Sequence, residues 1–262
     1  GMAYDLDSLG RRVAIHYLNK DGSVHRNKIG ISTRRYEYTP MGGVCSERTF
    51  DLWGNPILNE YLWTVAVTIF DDYGNRTEEA YYGIDGKPCL NINGYAKITV
   101  QYDDRNNRIE EAFYGVDGKL CLCIEGYAKY TAKYDNRDNI VEETCYGVDG
   151  NLCLGNDGYA KCITQYDDRG NRIEIAFYGV DGKLCLSNDG YAKCTAKHDE
   201  RGNRIETAFY GVNGEPCLDS DGVAKFTAKY DDQGNVVEQA TYGVDGKPHL
   251  HKDGFATVIT KY

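Results

Sequence analysis

Ten cysteines are the residues in this 262-residue chain whose type and spacing could most readily do chemistry. Five of them share one phase of a 32-residue period, at Cys89, Cys121, Cys153, Cys185 and Cys217. Cys162 and Cys194 share a second phase, which other copies fill with Ile98, Tyr130 and Phe226. A cysteine that exchanges with hydrocarbon and aromatic residues behaves as a packing residue, and the chain has no C-x-x-C pair with zinc-ligand spacing. We therefore expect free structural thiols, without disulfides.

The histidines and acidic turns give weaker indications of a metal site. His249 and His251 would place two imidazoles on one face of a strand, which is a geometry that metal sites use, but no third ligand stands at a matching phase. The acidic turns, such as Asp103–Asp104 and Asp231–Asp232, lack both the EF-hand and the nonapeptide calcium patterns. We expect no metal and no other cofactor.

Catalysis needs a few convergent groups that are unique to one place in the chain. The sequence contains no G-x-S-x-G, H-E-x-x-H or P-loop motif. Residues that break the repeat lie in the first copies, among them Met41, Cys45 and Trp53, whereas Trp63 stands at the phase of Tyr95. We predict that the chain is not an enzyme and that it has no catalytic residues.

A fixed period organises the whole chain. The motif YG(V/I)(D/N)G recurs once in every period from Tyr82 to Tyr242, and the same step backwards reaches Gly54 and Gly22. Such a period is typical of repeat architectures. We predict one repeat domain over residues 1–262, with eight 32-residue units of which the first two are degenerate. The units are 6–37, 38–69, 70–101, 102–133, 134–165, 166–197, 198–229 and 230–261.

Each unit has the pattern of a β-hairpin. Apolar and polar residues alternate from Tyr95 to Tyr102, as in a half-buried strand, and a polar turn follows, such as YDDRGNR. Pairing Tyr102 with Ile109 sets Ile98 opposite Phe113 on the apolar face. The same register brings opposite charges together in three copies. These pairs are Lys133 with Glu142, Lys197 with Glu206, and Lys229 with Glu238.

The segment VDGK predicts a second, tighter hairpin. An Asp-Gly pair between alternating residues is a strong signal for a two-residue hairpin loop. That loop would set Phe113 opposite Leu122 on the apolar face and Tyr114 opposite Cys121 on the other. Each unit would then contain two long strands and a short third one.

One such unit cannot bury its own apolar face, so neighbouring units must cover one another. We predict an all-β fold, in which the units form an elongated, twisted, antiparallel β-hairpin array of solenoid or spiral type. A closed β-propeller is the alternative, although a 32-residue unit is short for a four-stranded blade.

Charge and hydropathy exclude some classes of partner. The net charge of −10 argues against nucleic-acid binding, and no apolar run is long enough for a membrane span. Residues 1–48 carry eight Lys and Arg against five acids, a balance of +3 that leaves −13 for the rest. Arg11, Arg12, Arg26, Lys28, Arg34 and Arg35 are either a patch for an anionic partner or a solvated face. Unpaired thiols favour a reducing compartment such as the cytoplasm, with the cell surface or secretion as the alternative.

The segments YDDRGNRIE and YGVDGK resemble the YD repeats of bacterial Rhs-type proteins, and more loosely the MORN and WG tandem β-hairpin repeats. The resemblance covers nearly the whole chain, although a 32-residue period and phased cysteines depart from the YD pattern. It implies a non-enzymatic scaffold that binds or encapsulates another protein. The aromatic and DG-containing turns are also similar to glycan-binding hairpin repeats of surface proteins and toxins, whose ring faces hold sugars or choline.

One tyrosine of each copy from the third onward is the candidate binding residue. These residues, Tyr82, Tyr114, Tyr146, Tyr178, Tyr210 and Tyr242, are here called the tyrosine row. Exposed, they would form a ladder of ring faces for a glycan; otherwise they would serve cross-strand packing. The sequence therefore predicts a scaffold for protein–protein interaction, with carbohydrate or cell-envelope binding as the alternative.

Overall fold

The computed structural model describes residues 1–260, so Lys261, which ends the eighth predicted unit, and Tyr262 lie outside the described residues. The chain forms two compact units, Gly1–Lys129 and Tyr130–Tyr262. The described residues contain seventeen β-strands. Within residues 1–260 there is no helix of a length and apolarity that would let it cross a membrane.

In the first compact unit every strand pairs antiparallel with the next one along the chain. Its strands are β1 Met2–Leu6, β2 Arg12–Tyr17, β3 Thr33–Tyr38, β4 Val44–Phe50, β5 Val65–Phe70, β6 Arg76–Tyr82, β7 Lys97–Tyr102 and β8 Arg108–Tyr114. Long hairpins such as β7–β8 alternate with shorter ladders that join consecutive hairpins, such as the ladder that contains the pairing of Ala80 with Lys97.

The second compact unit repeats this arrangement from strand β9, Lys129–Tyr134, which begins at its boundary. The strands that follow are β10 Ile140–Tyr146, β11 Lys161–Tyr166, β12 Arg172–Tyr178, β13 Lys193–His198, β14 Arg204–Tyr210, β15 Lys225–Tyr230, β16 Val236–Tyr242 and β17 Thr257–Ile259. The predicted all-β array of antiparallel hairpins is confirmed. A propeller would divide the strands into separate blades, whereas consecutive hairpins here pair with one another.

The predicted register of the long hairpin is confirmed over most of its length. Ile98 pairs with Phe113 and Gln101 with Glu110, and the equivalent ion pairs form with N···O distances of 2.8–2.9 Å. The last pair is wrong, because a β-bulge after Gln101 makes Tyr102 pair with Arg108 instead of Ile109. A bulge places two residues of one strand opposite one of the other.

The second hairpin loop was predicted one residue too short. The Gly118 N–H donates to Gly115 O at 3.0 Å and the Gly115 N–H to Lys119 O at 2.8 Å, which encloses a loop of three residues. Gly118 alone takes positive φ, at 75°, as in a type I turn closed by a left-handed residue. The predicted short third strand is reduced to a single bridge between Tyr114 and Leu120.

This extra loop residue exchanges the two faces beyond the turn. The Cys121 N–H donates to Phe113 O at 3.0 Å, and Cys121 packs against the buried cluster. Leu122, which was predicted to lie opposite Phe113, is instead 51% exposed. The predicted pairing of Tyr114 with Cys121 is wrong for the same reason.

Three turns of each repeat share this geometry, and their left-handed residues return at the same three places of the repeat throughout residues 1–260. Twenty-one of these positions are glycines, and the other three are Leu62, Asn106 and Asp138. The acidic turns are of this type: the Asp167 carboxylate accepts the N–H groups of Arg169 at 2.9 Å and Asn171 at 2.8 Å. The hydrogen bond from the Asn171 side chain lowers the pKa of Asp167.

Leu62 is the residue least suited to its position, since its φ is 70° and its side chain is half exposed. Leu62→Gly should raise the free energy of unfolding by about 0.5–1 kcal/mol, because the relieved left-handed strain exceeds the added chain entropy of glycine. Urea denaturation measures this change. Asn106→Gly is the matched control and should gain less, because asparagine tolerates this conformation. A less stable Leu62→Gly protein would contradict the strain argument.

The cores of both compact units are built around a series of aromatic rings in contact, some stacked and most tilted, here called the aromatic spine. In the first unit Trp63, Tyr81, Tyr95, Phe113 and Tyr127 follow one another with centroid separations of 4.9–6.0 Å. In the second, Tyr159, Phe177, Tyr191 and Phe209 are spaced by 4.6–5.7 Å. Trp63 therefore occupies the row that its phase predicts.

Candidate functional site

The tyrosine row lies on the sheet face opposite the aromatic spine. Successive residues of a strand point to opposite faces, so Phe113 is buried while the adjacent Tyr114 pairs with Lys97 on the other side. All six members of the row are half-buried. Each ring therefore combines packing against the sheet with a solvent-accessible edge or face.

A lysine and a glutamate accompany the tyrosines. Lys97 Nζ lies 5.0 Å from the centroid of the Tyr114 ring and 3.2 Å from Glu78 Oε2. The same contacts recur in the second compact unit at Glu174–Lys193–Tyr210 and Glu206–Lys225–Tyr242. This Glu–Lys–Tyr triad was not predicted from the sequence, although the constant separation of the glutamate from the lysine along the chain is a signal for it.

A groove of about 290 Å³ separates two tyrosines of the first compact unit. Tyr82 and Tyr114 both line it, together with Pro88, Lys97 and Val116. Ring faces beside an ammonium group and a turn can hold either an apolar side chain or the apolar face of a sugar. The structure thus brings two of the candidate binding residues to one concavity.

Two rows of exposed aliphatic side chains lie at the turn that follows each tyrosine. The valine row consists of Ile84, Val116, Val148, Val180, Val212 and Val244, and the leucine row of Leu90, Leu122, Leu154, Leu186, Leu218 and Leu250. Their exposed fractions range from 42% to 62%. Exposed apolar side chains that recur in phase indicate an interaction surface rather than isolated surface residues. The leucine row was not predicted from the sequence, because a two-residue hairpin loop would place Leu122 opposite Phe113 on the apolar face.

The phased cysteines link consecutive repeats. Cys121 donates its S–H to Gly94 O at 3.7 Å, and Cys185 and Cys217 make the same contact with the glycine of the preceding repeat. Burial raises the pKa of each of these three thiols. All ten cysteines are free thiols. A protonated thiol is a poor nucleophile, so this phase has a structural role.

The two histidines of the last repeat have different surroundings. The His251 ring stacks on Phe255 at 4.8 Å and lies 3.5 Å from an Asp221 oxygen and 3.2 Å from an Asp253 oxygen. His249 is exposed. Among the basic residues near the amino end, Arg34 is engaged in ion pairs, with Glu47 at 2.8 Å and Glu60 at 2.7 Å.

No family model and no curated protein matches the chain. Among solved structures it is similar to a chain of the TcdB2-TccC3 complex, with 14% identity, a TM-score of 0.36 and 94% of this chain covered. It is also similar to the Photorhabdus luminescens Tc holotoxin pore, with 10% identity, a TM-score of 0.33 and 92% coverage.

A porin-like protein from Bacteroides uniformis matches at 14% identity and a TM-score of 0.30, over 92% of this chain and 81% of that chain. The chain spans only 13–14% of the length of the two toxin chains that it matches. These likenesses are too distant to carry a functional argument.

Proposed function

We propose that this chain is a non-catalytic repeat scaffold that binds another protein through its tyrosine, valine and leucine rows. The single observation that supports this most is the half-exposed aliphatic pair that recurs beside every member of the tyrosine row. Protein interfaces are centred on aromatic and aliphatic groups surrounded by a polar rim, and the Glu–Lys pairs supply such a rim here.

The repetition of these groups also supports a role other than catalysis. A reaction requires a convergent set at one place, whereas the tyrosine row presents equivalent groups in one repeat after another. The resemblance of YDDRGNRIE and YGVDGK to YD repeats supports a scaffold of the same kind. A partner with apolar side chains at regular intervals fits such a surface.

Site-specific photo-crosslinking in the native host tests this proposal. A photoreactive residue at Val148 or Val180 should capture one and the same partner, while a probe at the exposed hairpin residue Asp168 should not. Val148→Asp should weaken binding by about tenfold or more, because it buries a charge in the interface. Equal capture from Asp168, or no effect of Val148→Asp on the captured partner, would reject this surface.

Carbohydrate or cell-envelope binding is the second candidate, and the groove between Tyr82 and Tyr114 favours it. A glycan array should then give a defined hit that is lost on Tyr114→Ala and retained on Val148→Asp. An array without hits, or a hit that survives Tyr146→Ala and Tyr178→Ala as well as Tyr114→Ala, would dispose of this alternative. The two variants therefore separate the candidates.

A further inference from the structure

Two arginines of the second compact unit have lost the acidic partner that their equivalents possess. In the first unit Arg108 Nη1 lies 2.6 Å from Glu111 Oε1, three residues further along, and Arg76 pairs with Glu79 in the same way. The corresponding residues after Arg172 and Arg204 are Ile175 and Thr207. In the part of the chain that the structure describes, neither of these two guanidinium groups has an ion-pair or hydrogen-bond partner.

Both arginines line one groove of about 360 Å³ on the spine face of the second unit. Its floor includes Cys194, which pairs with Ile175 and Phe209 across the sheet. Three other repeats fill the Cys194 phase with larger side chains, namely Ile98, Tyr130 and Phe226. The small thiol therefore leaves space between the two cations, and the rings of Tyr191 and Phe209 form apolar walls.

Two buried polar atoms, one in this groove and one in an adjoining cavity, lack a partner among the described residues. Thr207 Oγ1 is one of them, and Thr207 lines the groove. The other is His198 Nδ1, in an adjoining cavity of about 150 Å³ that Arg172 and Arg204 also line. At the phase of His198, the Tyr230 hydroxyl instead donates to Arg204 O at 3.1 Å. Buried polar groups without partners are uncommon in folded proteins.

The carboxylates around the groove are already engaged. Asp219 accepts the N–H groups of Asp221 and Val223, both at 3.0 Å. Asp221 lies 2.5 Å from Lys252 Nζ and 3.5 Å from His251 Nε2. In the adjoining cavity Glu174 pairs with Lys193 at 3.3 Å. Among the described residues, the lining therefore contains two guanidinium groups without a carboxylate partner, and one carboxylate, Asp219, whose hydrogen-bond partners are neutral backbone N–H groups.

We propose that this groove binds a phosphate monoester whose apolar, ring-shaped body lies against Tyr191 and Phe209. Arginine presents a planar set of N–H donors that matches phosphate oxygens in pairs. A monoester carries a charge of about −1.5 to −2 at neutral pH, which is the charge that two arginines balance. The Thr207 hydroxyl supplies a further donor. This site is independent of the tyrosine row and of the protein partner proposed for it.

Phenyl phosphate is the probe, and titration followed by calorimetry and amide chemical shifts of the full chain measures its binding. Saturable binding is expected, with shifts confined to the groove. Arg172→Gln and Arg204→Gln should each weaken it by at least about tenfold. Inorganic phosphate and benzoate should bind more weakly, because one lacks the ring and the other lacks the second negative charge.

Restoring the lost glutamates gives a sharper test, since Ile175→Glu and Thr207→Glu leave both arginines in place. Each new carboxylate should pair with its arginine, as Glu111 does with Arg108, and the double variant should abolish binding. Thr207 is buried, so thermal unfolding is used to check that the double variant folds. If the double variant does not fold, the Arg172→Gln variant, which changes an exposed residue, still tests the proposal. Arg108→Gln is the matched control and should bind as the unmodified chain does.

Three results would overturn the proposal. The first is the absence of saturable binding with phenyl phosphate at up to about 10 mM, since a dissociation constant above that concentration is weaker than a specific site provides. The second is unchanged affinity in Arg172→Gln and Arg204→Gln. The third is a loss of affinity in Arg108→Gln as large as in those two variants. Benzoate or inorganic phosphate binding as tightly as phenyl phosphate would overturn the assignment to a ring-bearing monoester.

Discussion

Replacing Phe113 by alanine should lower the free energy of unfolding of the first compact unit by about 3–5 kcal/mol. Phe113 is buried and belongs to the aromatic spine, with the Tyr95 ring centroid 4.9 Å away and that of Tyr127 5.9 Å away. Its removal leaves a cavity between residues of two consecutive repeats. Hydrogen exchange in the amides of β7 and β8 and urea denaturation both report this loss.

Tyr114→Ala is the matched control, because Tyr114 is the adjacent residue on the opposite face and is half-buried. It should cost about 1–2 kcal/mol, in proportion to the smaller apolar area that it buries. A Tyr114→Ala protein that is destabilised as much as Phe113→Ala would show that the tyrosine row is part of the core. That result would also remove the basis for a binding role of the row.

Alkaline pH should destabilise the second compact unit through Cys162. This thiol is 1% exposed, and burial, reinforced by the Glu143 carboxylate, raises its pKa from 9.0 to about 11. Between these two values the unfolded chain loses the thiol proton while the folded chain retains it, so unfolding becomes more favourable. The thiol contribution is fully present below pH 9 and is lost as pH rises to about 11, by about 2–3 kcal/mol.

Cys162→Val removes this titration at nearly constant volume, and β-branched Ile98 already occupies the same phase in another repeat. Urea denaturation from pH 7 to 11 should show a shallower decline for the variant, by the same amount of about 2–3 kcal/mol. Partly buried tyrosines contribute to the decline in both proteins, since burial also raises the pKa of Tyr191 to about 12. Parallel declines in the two proteins would contradict the assignment to Cys162.

The period and the long-hairpin register were predictable because both depend on local sequence. Alternation identifies the buried face, and a one-residue slip would separate Lys197 from Glu206 and Lys229 from Glu238. The aromatic spine was partly predictable too, since Trp63 shares the phase of Tyr95. Because these features recur in several repeats, the strand register and buried face inferred for one repeat can be checked in the next.

The loop at Gly118 and the bulge after Gln101 were not predictable from the same patterns. An Asp-Gly pair fits both a two-residue loop and a longer loop in which only glycine takes positive φ. The hydrogen bonds between Gly115 and Lys119 decide between them. The one additional loop residue determines whether Leu122 is buried or exposed to a partner. The exposed leucine row could therefore not be predicted from the sequence.

The candidate residues were predicted better than their surroundings. The tyrosine row lies on one face, as expected, but the contact of Lys97 with Glu78 depends on the pairing of consecutive hairpins, which the sequence alone does not specify. The phosphate groove is found only when the repeats are compared with one another and the structure is then consulted. Aligning the repeats shows that glutamate gives way to Ile175 and Thr207, although only the structure shows both arginines lining one cavity.

The constant spacing of left-handed residues also bears on how such a chain changes over evolutionary time. Gain or loss of a single residue would disturb the turn or strand in which it falls, because it changes the distance to that repeat's left-handed residue or the alternation of the two faces of that strand. Duplication or excision of a full period preserves both. The stretch FYGVDGKLCL is present identically at Phe113–Leu122 and Phe177–Leu186, so removal of the two periods between equivalent positions would rejoin the chain in an unchanged local sequence.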